Sequence, residues 1–86
     1  MKLFESLFLL ERLDQLIRLK ATGTPGELAS RLGISKRQIL RILRHLRAEG
    51  FPIEYDRARE SYFYSKPVTL QFEFAVDGVR ILKIGR

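Results

Sequence analysis

The sequence predicts an α+β fold of three helices followed by two β-hairpins. Three observations carry this. Apolar residues recur at helical spacing up to Glu49 and at alternating spacing after Gly50. Glycine and proline punctuate the chain at Gly23, Pro25, Gly26, Gly33, Gly50 and Pro52. Near the end, Asp77-Gly78 stands between two alternating runs, a strong hairpin signal. With 86 residues there is room for one domain. A chain this short buries only about 60–65% of its unfolded surface, so its core is small.

The first segment, residues 1–22, reads as a helix from about Leu3 to Lys20, rich in Leu and free of Pro and Gly. Projected at helical spacing, Leu9, Leu10, Leu13, Leu16 and Ile17 share one face in its second half, with Glu11, Arg12, Asp14, Gln15 and Arg18 opposite. In the first half, Leu3, Phe4, Leu7 and Phe8 point elsewhere. A helix with two apolar directions needs two partners. The second is either the C-terminal segment of the same chain or a second subunit, which makes these four residues a candidate homodimer interface. Gly23 is expected to cap this helix.

Thr24 caps the next helix, with Pro25 in its first position and Glu27 completing a capping box. Leu28, Ala29 and Leu32 form its apolar side, and Gly33 ends it. Ser35 and Gln38 make a second capping box, opening a helix over 35–49 that Gly50 and Pro52 end. Two short helices across a tight turn, within 24–50, are a helix-turn-helix signature.

The third helix divides by face. Ile39, Ile42, Leu43 and Leu46 share an apolar arc, Arg37, Arg41 and Arg44 lie nearly opposite, and Lys36 and Arg47 flank the arc. A helix of this kind suits the major groove, where Arg can bond guanine bidentately. Ser35 and the first-turn amides can hold a phosphate, and Gln38 can read adenine. Leu40 falls between the faces, to be partly buried or to meet a thymine methyl.

Over 51–65, Ile53–Asp56 and Tyr62–Tyr64 read as two strands around a charged tip at residues 57–61. This is expected to be a wing, with Arg57 and Arg59 against backbone phosphate or the minor groove. The tyrosines are read as core-edge residues, with base stacking as the alternative. In 66–86, Val68, Leu70, Phe72 and Phe74 alternate with polar residues, and Val79–Ile84 reads as the returning strand.

Charge and composition narrow the function. The net charge is +6, and six basic residues (Arg31, Lys36, Arg37, Arg41, Arg44 and Arg47) stand between Leu28 and Ala48 without one Asp or Glu. The remaining ten basic residues balance the ten acidic ones. A local basic surface on a balanced body implies a polyanionic partner, against the plainer alternative of a solvated helix face. There is no cysteine, hence no disulfide or thiolate metal site. His45, the single histidine, lies among arginines without a carboxylate neighbour, so no enzyme activity, cofactor, metal or small-molecule ligand is expected. The apolar run Leu7–Leu10 is too short to span a bilayer and lacks a signal-peptide cleavage pattern, so a cytoplasmic location without membrane attachment is expected.

The string TPGELASRLGISKRQILRILRHLRAEGFPIEYDRARESYFY, residues 24–64, resembles the winged helix-turn-helix of DeoR-like and WYL-associated bacterial transcriptional regulators. It shares their succession of helix cap, ELA, LGIS, recognition helix, EGFPI and a wing ending in aromatics. The resemblance implies sequence-specific binding of double-stranded DNA, with Ser35, Lys36, Arg37, Gln38 and Arg41 reading or clamping the duplex. Two positions depart from the family: Ile42 replaces a usual acidic residue, and Gln38 stands where Thr is common. Larger members carry an effector domain after the wing, where a β-hairpin is expected here. The alternative from another class is a winged-helix module that binds protein. The arginine face, with Arg44 extending it, favours DNA.

Overall fold

The computed structural model describes residues 2–85, and the side chains of all of them except Leu3, Phe72, Phe74 and residues 81–85. Three helices come first: α1 (Leu3–Arg18), α2 (Pro25–Leu32) and α3 (Lys36–Ala48). Two separate antiparallel hairpins follow, β1 (Ile53–Asp56) with β2 (Ser61–Tyr64), and β3 (Gln71–Val76) with β4 (Val79–Gly85). The chain is a small α+β protein with the expected order of elements. Among the described residues, no helix is long and apolar enough to cross a membrane.

Both capping boxes form. The Glu27 N–H donates to Thr24 Oγ1 at 3.3 Å and the Thr24 N–H returns a bond to Glu27 Oε1 at 3.0 Å. Those bonds to Thr24 hold the Glu27 carboxyl below the usual carboxylate range. The carboxylate half of the cap, the bond from the Thr24 N–H, is therefore at full strength above that range and weakens as pH falls through the lowered value. At α3, the Gln38 N–H donates to Ser35 Oγ at 3.1 Å and the Ser35 N–H to Gln38 Oε1 at 2.9 Å. Gly33, at φ +70°, ends α2 as expected, with the Ile34 N–H bonded to Ala29 O at 3.0 Å.

The end of α1 differs from expectation. The helix stops at Arg18, and Lys20, not Gly23, takes the left-handed capping conformation, at φ +53°. The Lys20 N–H reaches Ile17 O at 3.1 Å and the Ala21 N–H reaches Leu16 O at 2.9 Å, which closes the helix end. The early stop lets Thr22 meet β2. Thr22 is fully buried, and its Oγ1 accepts from the Tyr62 N–H at 2.8 Å, while Ser61 Oγ accepts from the Thr22 N–H at 3.2 Å. Ser61, expected in the turn, is therefore the first residue of β2. Gly23 is needed for another reason: at φ +72°, a Cβ there would stand 2.9 Å from Glu27 Cβ.

One core joins α1, α2, α3 and the first hairpin. Leu13, Ile17, Leu28, Ala29, Ile39, Leu43, Ile53 and Tyr62 form it, flanked by Leu16, Leu32, Ile34, Ile42 and Leu46. Tyr62 packs edge-on to Tyr55, with ring centroids 4.8 Å apart, so these tyrosines belong to the core and its edge as expected. Burial pushes the Tyr62 hydroxyl above the ordinary tyrosine range, with Arg47 opposing the shift.

Helical projection placed Asp14 and Arg18 on the solvent side. Asp14 is instead buried at 4% exposure, because β2 and the segment after it cross that side of α1. Arg18 Nε donates to Asp14 Oδ2 at 2.9 Å, and the Tyr64 hydroxyl donates to Asp14 Oδ1 at 2.8 Å. Arg18 also donates to the Val68 carbonyl and lies over the Tyr64 ring, 5.5 Å from its centroid.

The second hairpin starts later than Val68. Pro67 has no N–H to contribute, and the Val68 carbonyl is held by Arg18. The register pairs Phe72 with Ile84 and Glu73 with Lys83, shifts between Phe74 and Ala75, and closes at Asp77 (φ +51°) and Gly78 (φ +79°). Two successive left-handed residues match the twist of a tight hairpin. None of the described side chains of β3 and β4 joins the main core. The molecule is accordingly elongated, at 47 × 28 × 21 Å.

Candidate nucleic-acid interface

The outer face of α3 is built by its inner one. Ile39 and Leu43 are fully buried and Ile42 and Leu46 half-buried, which fixes the helix rotation. Arg37, Arg41 and Arg44 then stand exposed in a stripe. At helical rise the stripe runs about 10 Å along the axis. A major groove about 12 Å wide admits such a helix. Among the described residues, none of the three arginines makes a hydrogen bond or ion pair within the chain, so their guanidinium donors are available.

The basic residues of the acid-free stretch do not all serve this face. Arg31 Nη1 donates to the Ala21 carbonyl at 2.6 Å, which ties α2 to the end of α1. Arg47 Nε donates to the Ile53 carbonyl at 2.9 Å, and its guanidinium lies 5.9 Å from the Tyr62 ring centroid. Both remain exposed, but each spends a donor on a carbonyl of the fold. Lys36, Arg37, Arg41 and Arg44 face solvent. One hint of this division is legible in the helical projection, since Arg47 lies beside the apolar arc rather than opposite it.

At the start of α3, Ser35 and Lys36 are exposed. The amides of Lys36 and Arg37 have no acceptor among the described residues, and they point out of the positive end of the helix dipole. Gln38 is less free than its sequence position suggests. Its Oε1 is held in the capping box, so reading an adenine with both amide atoms strains or breaks the cap. Ile42 lines an open groove with Leu9, Leu10, Ile34, Gln38 and Arg41. Leu40 is 41% exposed and offers an apolar edge beside the arginines.

No protein-family model, curated protein or solved structure matches this chain.

Arg57 and Arg59 are both exposed at the tip of the first hairpin. Asp56 Oδ1 shapes that tip by accepting from the Ala58 N–H at 2.9 Å and the Arg59 N–H at 3.2 Å. Arg59 Nε is 3.9 Å from Asp56 Oδ2, a loose exposed pair that holds it weakly. His45 is exposed in the last turn of α3.

Of the four residues proposed for a dimer interface, the Leu3 side chain lies outside the described residues. Leu7 is buried within the single chain at 6% exposure. Phe4 and Phe8 are 53% and 61% exposed. Among the described side chains of these four, Phe4 and Phe8 are the ones open to a second subunit.

Proposed function

We propose that this chain is a winged helix-turn-helix domain that binds double-stranded DNA, and that it acts as a transcriptional regulator of the DeoR-like kind rather than as an enzyme. In this reading α3 is the recognition helix and the first hairpin is the wing. The observation that carries it is the unpartnered stripe of Arg37, Arg41 and Arg44 on a helix whose opposite face is locked into the core. Arginines kept free of internal partners suit bases and phosphates, whereas a protein-docking helix is expected to show apolar or mixed charge. Ser35, Lys36 and the free first-turn amides supply a phosphate clamp at the helix start.

Fluorescence anisotropy with mixed-sequence duplex DNA across a salt series tests this. Affinity is expected to fall steeply with salt, at about 0.9 log units per log unit of salt for each phosphate contact. Arg59→Ala is expected to weaken all duplexes alike and to lower that slope by about one contact. Absence of binding at low salt would overturn the reading and leave the protein-interaction alternative.

A homodimer through Phe4 and Phe8 is a further part of the proposal. Sedimentation velocity is expected to show a concentration-dependent dimer that Phe4→Ser/Phe8→Ser dissociates. A wild-type chain that stays monomeric throughout the range would remove it.

A further inference from the structure

We propose that Arg47 fixes the wing against the recognition helix, and so serves DNA binding by positioning rather than by contact; this rests on the DNA-binding reading above. Arg47 belongs to the same acid-free basic stretch as the groove-facing arginines, one turn beyond them. Its surroundings are different. Nε donates to the carbonyl of Ile53, the first residue of β1, at 2.9 Å. The guanidinium lies over the ring of Tyr62 in β2, 5.9 Å from its centroid. One planar group thus touches both strands of the wing. Tyr62 is itself 4% exposed and held edge-on by Tyr55, so the ring is a fixed platform.

Other polar anchors of the wing go to α1 and the loop after it. Thr22 bonds Ser61 and Tyr62, and Asp14 bonds Tyr64. The Arg47 bond runs directly from α3 to the first hairpin. Removing Arg47 takes away the polar bond and the ring contact, and leaves the apolar packing of Ile53 and Tyr62 on Ile39 and Leu43 to hold the wing's angle to α3. Arg57 and Arg59 would then no longer meet the backbone while α3 occupies the groove. A bidentate duplex interface needs both elements at a set separation, and a residue that sets it is felt through the wing arginines alone. The guanidinium plane matters as much as its charge, since an ammonium can neither lie flat on a ring nor keep the fork geometry.

The test is a double-mutant cycle on one duplex. Arg47→Ala is compared with Arg57→Ala/Arg59→Ala and with the combination of all three. Arg47→Ala is expected to weaken binding by about the same factor as the tip variant, on the order of tenfold, and to add little to it. Both should lower the salt slope by about two contacts. Arg47→Lys is expected to resemble Arg47→Ala. Amide exchange in β1 and β2 is expected to quicken in both Arg47 variants with α1 and α2 unchanged. Additive losses, or rescue by Arg47→Lys, would mean a direct phosphate contact and overturn the proposal. Unchanged affinity with a lowered Tm would reduce Arg47 to stability alone, and also overturns it. If the wild type binds no duplex, the DNA reading fails by itself, and unchanged exchange in β1 and β2 would still sink the clamp.

Discussion

Alanine at Arg37, Arg41 and Arg44 together is expected to abolish duplex binding while the chain stays folded. Each arginine that bonds a base or phosphate in the groove contributes about 1–3 kcal/mol. Even the low end, about 3 kcal/mol for the three, is more than a hundredfold in affinity. The fold has no reason to suffer. Among the described residues, the three side chains make no bond within the chain, and alanine is the better helix former. Removing a stripe of like charges from one face also relieves repulsion, so the Tm is expected to hold or rise. Circular dichroism and thermal melting check the fold, and anisotropy reads the binding. Arg41→Ala alone is the finer probe. A loss concentrated on particular sequences would mark a base contact, and an equal loss on all duplexes would mark a phosphate contact. Full affinity in the triple variant would move the binding surface off α3.

Asp14→Ala is expected to have the largest effect on stability. The carboxylate is buried at 4% exposure and accepts from Arg18 and from the Tyr64 hydroxyl. Removing one partner of a buried charge pair costs about 3–5 kcal/mol, because the other charge is left without compensation. The Arg18 side chain is 27% exposed, so water can recover part of that loss, which points to the lower end of the range. For a chain of this size about 3 kcal/mol corresponds to a fall in Tm of more than about 10 °C. Tyr64→Phe removes one neutral donor and is expected to cost only about 1 kcal/mol. The effect should also reach beyond α1. Arg18 bonds the Val68 carbonyl as well, so its release loosens the root of the second hairpin. A thermal melt of the two variants decides it. A Tm for Asp14→Ala within a few degrees of wild type would show that the network is not holding α1 to β2.

The start of α2 and of α3 could be placed to the residue, because a capping box is a contact between neighbours three positions apart. The Gly33 and Gly50 stops and the Asp77-Gly78 turn were equally local. The buried arc of α3 followed from helical spacing, and with it the exposure of Arg37, Arg41 and Arg44. The end of α1 was misplaced because a left-handed lysine is not a signal that sequence rules rank highly, whereas Gly23 is. Asp14 was misplaced because projection assumes one buried side per helix, and Tyr64 arrives from fifty residues away.

What the sequence by itself determined was therefore the set of elements, their order and the arginine stripe, each of which depends on interactions within a few residues. Tertiary structure alone decided which charges are spent. Arg31 and Arg47 look like their neighbours in sequence but are drawn to the carbonyls of Ala21 and Ile53. It also decided that Gln38 is held by its cap, that Thr22 and Ser61 join the loop to the hairpin, and that Leu7 is covered while Phe4 and Phe8 are not. The reason is common to all of these. A side chain's partner is set by what the folded chain brings within about 3 Å of it, and periodicity along one element contains no information about the elements that cross it.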